Sequence, residues 1–105
     1  MEVYTVNQKI TIVLDRILWK WWIGKDTDIQ EAFDDLVDTI IFNKDDMDIA
    51  PWKTSTMEEF SFEISDSKLE DLNTAKNNLS LEEYINGCLR YFRAEEEKIK
   101  NLFNK

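Results

Sequence analysis

The chain has 105 residues, 43% of them hydrophobic and 12% aromatic, with a formal net charge of −9 at pH 7. That length suits one domain over residues 1–105 with a single modest core, and the apolar content excludes a disordered acidic tail. So negative a surface is repelled by DNA, RNA and anionic membranes, which argues against direct binding to any of them.

Two glycines and one proline are few breakers, so helices are favoured over many short strands. The expected fold is mainly α: a small bundle of about four helices, with one short two-stranded pairing of residues 2–6 with 59–64 as a possible addition. Residues 6–23 predict the first helix. Ile10, Val13, Leu14, Ile17, Leu18 and Trp21 form one stripe at ~100° per residue, while Ile12, Trp19 and Ile23 fall opposite. A helix apolar on two sides is central to a bundle or covers a second surface. Val3-Tyr4-Thr5-Val6 and Ile10–Leu14 are rich in β-branched residues, which leaves a strand open there. Gly24 is the expected stop.

The second helix has the clearest pattern. Thr27 with Gln30 forms a capping-box signature. Ile29, Phe33, Leu36, Val37, Ile40 and Ile41 share one face, and Asp28, Glu31, Asp34, Asp35 and Asp38 share the other. Phe42 is the exception, projecting toward the acidic side, and the helix should end near Asn43. Residues 44–57 read as a loop that Pro51 keeps from becoming helical. Phe60, Phe62 and Ile64 then alternate with polar residues, a strand signal, although Ser55 with Glu58 offers a rival helical start. Ser67 with Glu70 predicts a short third helix carrying Leu69, Leu72, Ala75 and Leu79. Ser80 with Glu83 predicts the last helix, 81–103, with Leu81, Tyr84, Ile85, Cys88, Leu89 and Phe92 toward the core. Beyond Glu95 and Glu96, its last two turns are expected to project or to pack on another chain. Gly87 inside this helix costs about 1 kcal/mol relative to alanine, which predicts a neighbouring backbone pressed against it.

The acid excess is concentrated. Residues 26–71 carry 15 acidic and 3 basic side chains, a net of −12, while both flanks are slightly basic. No lysine or arginine interleaves the acids between Asp26 and Phe42, where such pairs would stabilise a merely solvated helix. Like charge crowded on one flank destabilises a compact fold, and a cationic partner relieves it.

Several chemistries are absent. With no histidine there is no Ser-His-Asp or Cys-His arrangement, and a single cysteine cannot build a thiolate–imidazole zinc site. Glycine-rich phosphate loops are missing. An EF-hand loop requires glycine at its sixth position and glutamate at its twelfth; from Asp26 these are Glu31 and Val37, and from Asn43 they are Asp48 and Thr54. No metal or cofactor is expected. Cys88 reads as a buried thiol used as a small hydrophobe. One cysteine and no leader-like opening suit a reducing, cytoplasmic setting.

The candidate binding residues follow from charge and aromatic anchors. They are Asp28, Glu31, Asp34, Asp35 and Asp38 on the second helix, Asp45, Asp46 and Asp48 beyond it, and Trp52, Trp19 and Trp22 as anchors within a polar rim, with core packing as the alternative for these three tryptophans. No motif set identifies a family. In composition alone the chain is similar to small acidic inhibitors: immunity proteins that neutralise nuclease toxins, antitoxins, and phage proteins of anti-CRISPR type that block host defence nucleases. The expected function is thus non-enzymatic inhibition of a basic, nucleic-acid-acting protein by occupying its groove. The alternative is a structural or assembly subunit, such as a homodimer, that oligomerises through Ile12, Trp19 and Ile23 of the first helix.

Overall fold

The computed structural model describes residues 7–24, 28–52 and 55–103. Asp15 sets its first boundary. Its Oδ1 accepts hydrogen bonds from the backbone N–H groups of Ile17 (2.9 Å) and Leu18 (3.2 Å), capping helix α1, Arg16–Ile23. Before that cap the chain is strand β1, Asn7–Asp15, so the expectation of one helix over 6–23 is corrected in its first half. The β-branched run Ile10–Val13 decides this. Extended geometry sends Ile12 and Leu14 into the core and leaves Thr11 outside, a separation that helical spacing would not give.

β1 pairs antiparallel with β2, Met57–Ser65, in a register running from Asn7 opposite Ser65 to Asp15 opposite Met57. The expected partner segment 2–6 lies outside the described residues; the pairing found uses 7–15 instead. Helix α2 spans Ile29–Asn43 and passes into one turn of 3-10 helix, Lys44–Asp46. Helices α3, Asp66–Ala75, and α4, Leu81–Phe103, follow β2. Among the described residues the architecture is four α-helices with a two-stranded antiparallel sheet. No described helix is long and apolar enough to cross a membrane.

Two helix starts differ from expectation. Thr27 lies outside the described residues, and Asp28 caps α2 by accepting from the N–H groups of Gln30 (2.9 Å) and Glu31 (3.3 Å). For α3 the cap is Ser65 rather than Ser67, its hydroxyl accepting from the Lys68 N–H. The third box holds: Ser80 Oγ accepts from the Glu83 N–H (3.1 Å), and Glu83 Oε1 accepts from the Ser80 N–H (3.2 Å).

The apolar face of the sheet is the floor of the core. Phe62 of β2 stacks on Phe33 of α2 at 4.1 Å between ring centroids, and Trp19 of α1 meets Phe62 edge-on at 5.3 Å. Ile85, Cys88 and Leu89 of α4 and Leu72 of α3 are also fully buried. Gly87 permits a close approach. A Cβ there would lie 2.5 Å from the Ala50 carbonyl oxygen, so the 47–52 loop rests directly on α4.

A two-stranded sheet has two outer edges with unpaired backbone groups. Primary amides close part of each. On the β1 side, Asn86 of α4 donates to the Val13 carbonyl (3.0 Å) and accepts from the Asp15 N–H (2.8 Å). On the β2 side, Gln30 of α2 donates to the Glu63 carbonyl (2.8 Å) and accepts from the Glu63 N–H (2.9 Å). Each amide imitates a neighbouring strand and fixes a helix to the sheet.

Candidate functional site

Helix α2 carries the acids because its core side is fully used. Ala32, Phe33, Leu36, Val37 and Ile40 are buried, so the opposite side faces water. At 100° per residue, Asp28, Glu31, Asp35, Asp38 and Phe42 fall within an arc of about 80°. The four acids on that arc are exposed, and so is Phe42, at 87% the most exposed of the large hydrophobic side chains described. Asp45 and Asp46 continue the acidic surface through the 3-10 turn, and exposed Asp48 follows. Over the 15 residues of α2 the stripe runs about 22 Å. The structure thus brings together Asp28, Glu31, Asp35, Asp38, Asp45 and Asp46 as one ridge.

Asp34 sits at the margin, half-buried and bonded to the Gln30 side-chain amide at 2.9 Å. It lines a shallow recess with Glu63 and Lys68. Among the described residues, one ion pair reaches the ridge: Lys68 Nζ of α3 lies 2.7 Å from Asp38 Oδ1. Both heads are largely exposed, and such pairs are worth ~0–1 kcal/mol. The ridge is therefore barely neutralised from within this part of the chain.

The three tryptophans expected as anchors are engaged inside the molecule. Trp19 is 2% exposed and belongs to the core against Phe60 and Phe62. Its Nε1 is buried without a hydrogen-bond partner among the described residues. Trp22 donates from Nε1 to the Ala32 carbonyl (2.8 Å) and packs on Phe92. Trp52 donates to Asp15 Oδ2 (3.1 Å), while the Arg90 guanidinium sits 4.1 Å from its ring centroid. Trp52 is half-buried in this clamp. Trp19 is therefore a core residue rather than an anchor, while Trp22 and Trp52 are half-buried and held by these contacts within the chain. Phe42 is the aromatic that reaches solvent within the ridge. Helical period placed it on the acidic side, seven residues after Asp35 and four after Asp38, but did not single it out as a binding residue.

Of the seam expected of an assembly subunit, Ile12 and Trp19 are buried within the chain and Ile23 is half-buried. Ile12 is in β1 at 3% exposure, and Trp19 lies beneath the sheet's apolar face. Among the described residues, no group of three or more His, Cys, Asp or Glu side chains is arranged to hold a metal ion. Cys88 is fully buried, and burial pushes its thiol up to about 12, which keeps the proton on sulfur at neutral pH.

No protein-family model, curated protein or solved structure matches this chain.

Proposed function

We propose that the protein is a non-enzymatic inhibitor that lays the acidic side of α2 into the nucleic-acid groove of a basic protein, a nuclease or another nucleic-acid-binding protein. The observation that carries this reading is Phe42, an aromatic side chain left 87% exposed in line with Asp35 and Asp38. Burying such a ring inside a charged rim supplies affinity, while the acids steer encounter and set orientation. The acids recur about once per helical turn, ~5.4 Å, against ~3.4 Å per phosphate along one strand of duplex DNA. A groove shaped for a phosphate backbone accepts that spacing only loosely, and Phe42 supplies the contact that charge alone does not. The partner is a protein, with no direct contact to nucleic acid or membrane, and no cofactor takes part. A cytoplasmic setting suits the single reduced thiol.

The test uses the whole protein immobilised and exposed to extract at low salt. A basic nucleic-acid-binding protein should be retained, released by raised salt, and unable to bind duplex DNA or RNA while complexed. The variant Glu31→Lys/Asp35→Lys/Asp45→Lys, with an unchanged circular dichroism spectrum, should lose that partner, and Phe42→Ala should weaken binding by tenfold or more, the ~1.4 kcal/mol or greater typical of an aromatic anchor. Retention of the same partner by the charge-reversed variant, or undisturbed nucleic-acid binding in the complex, would refute the reading.

A further inference from the structure

Gln30 and Asn86 fill only part of the sheet's two edges. Because Glu63 gives its backbone N–H and carbonyl to Gln30, the odd-numbered residues of β2 turn their backbone groups away from β1. Val13 and Asp15, which meet α4 through their backbones, show the same alternation on β1. Glu59 and Ser61 therefore each present an N–H and a carbonyl at the outer edge of β2. Among the described residues no hydrogen bond reaches those backbone groups, and both residues are exposed. The edge is also regular. Every residue from Asn7 to Asp15 has one partner between Ser65 and Met57, without a bulge, and β2 contains no proline. Charge is what guards it. Glu58 and Glu59 are exposed, stand opposite Leu14 and Val13, and enter none of the ion pairs among the described residues. Glu63 differs in having Lys9 opposite it.

We infer that the outer edge of β2 at Glu59 and Ser61 accepts an extended, basic segment of another protein as a third strand. Backbone groups supply the affinity of such an addition, and side chains at alternate positions supply its selectivity. Charge selects the occupant. On the sheet face turned away from the core, Glu59 and Glu63 flank Ser61, so lysine or arginine at alternate positions of the added strand meets carboxylates. The intervening side chains fall on the core face, where half-buried Phe60 offers apolar cover. A second copy of this chain fits badly, because pairing the edge with itself gathers the same acids on both sides of the seam. The Gln30 amide marks where the added strand stops, since it already fills the place at Glu63. This surface is separate from the exposed ridge of α2, and the inference does not rest on the groove reading.

The probe is a pentapeptide blocked at both ends and alternating lysine with valine, added to the whole protein at up to ~1 mM and followed by nuclear magnetic resonance. The amide resonances of Glu59 and Ser61 should shift and saturate, and both amides should become protected from deuterium exchange. The same peptide with its backbone nitrogens methylated keeps its charge but cannot pair as a strand, and should give no protection. Glu58→Gln/Glu59→Gln, which changes only exposed side chains, should weaken binding by about tenfold with unaltered circular dichroism. Glu31→Lys/Asp35→Lys/Asp45→Lys should still bind the peptide, because its changes lie on α2. Unprotected Glu59 and Ser61 amides at saturation, equal binding of the methylated peptide, or affinity untouched by Glu58→Gln/Glu59→Gln would each overturn the inference. So would protection of the same amides that grows with protein concentration in the absence of peptide, which would give the edge to a second copy.

Discussion

The two edges of the sheet carry the same hydrogen-bond device in different surroundings. Asn86 and Gln30 each use one primary amide to satisfy one strand carbonyl and one strand N–H. Asn86 is fully buried and also donates to the Glu82 carbonyl at 2.9 Å. Gln30 is partly exposed, and its contacts with Glu63 lie at the surface. The lesson is that the amide matters by what replaces it. Water replaces a lost partner more readily at the exposed Gln30 edge than at the Asn86 edge, so the energetic weight of the two devices differs although their geometry matches.

The sharpest way to break that comparison is Asn86→Leu. It keeps a similar branched shape but strands the Val13 carbonyl and the Asp15 N–H, each costing ~1–3 kcal/mol when buried. Urea denaturation should show a loss of ~3–5 kcal/mol, a large share of a small domain's stability. An unchanged midpoint would mean that water enters behind α4.

The buried side can also be examined by pH. Cys88 stands two residues beyond Asn86 on α4; its thiol ordinarily titrates near 9, and burial pushes it up to about 12. Tyr84 is raised as well, by burial first and then by the neighbouring thiol. Between pH 9 and 12 the unfolded chain releases the Cys88 proton while the folded chain retains it. Stability from this group is therefore complete below about pH 9 and is lost as pH rises through that window, by up to ~1.4 kcal/mol per pH unit. Thermal melts should show that alkaline slope, and Cys88→Ala should flatten it. A slope identical in the variant would assign it to other groups.

The smallest effect belongs to the outer edge. Gln30→Leu should cost about 1 kcal/mol or less in the same urea titration, because solvent replaces the lost amide at Glu63. A cost equal to that of Asn86→Leu would show that both edges are sealed.

Much of this architecture was legible where a single period fitted the residues. The acidic and apolar sides of α2 separate at 3.6 residues, apart from half-buried Asp34 and exposed Ile29, and Ser80 with Glu83 marks the start of α4. The Gly87 cost anticipated the Ala50 backbone against it, and Glu95 with Glu96, interrupting the apolar face, anticipated the exposure of Ile99 and Leu102 at the end of α4. β1 was legible only as an alternative to a helix, because Ile10, Val13, Leu14, Ile17 and Leu18 fit a helical stripe while Ile10, Ile12 and Leu14 fit an alternation. The choice is made by Phe60 and Phe62, which offer a paired surface about fifty residues further on. Asp15 was the overlooked local signal, a capping residue standing before the apolar run of α1. Trp52 was illegible for another reason: its partners, Asp15 and Arg90, are distant in sequence, so nothing near it discloses that it is covered. Phe42 could be placed on the acidic side from spacing alone, yet its weight emerged only once the tryptophans were seen to be engaged elsewhere.

Asp15 has one more consequence. Its carboxyl joins the end of β1 to the first turn of α1, to the Trp52 indole and to the Thr56 hydroxyl. Strand, helix and loop thus share one acceptor, and none can detach without exposing donors that belong to the others. Such sharing makes unfolding cooperative, so the amides of Ile17 and Leu18 should exchange with deuterium only when the whole domain opens, although Ile17 itself lies at the surface.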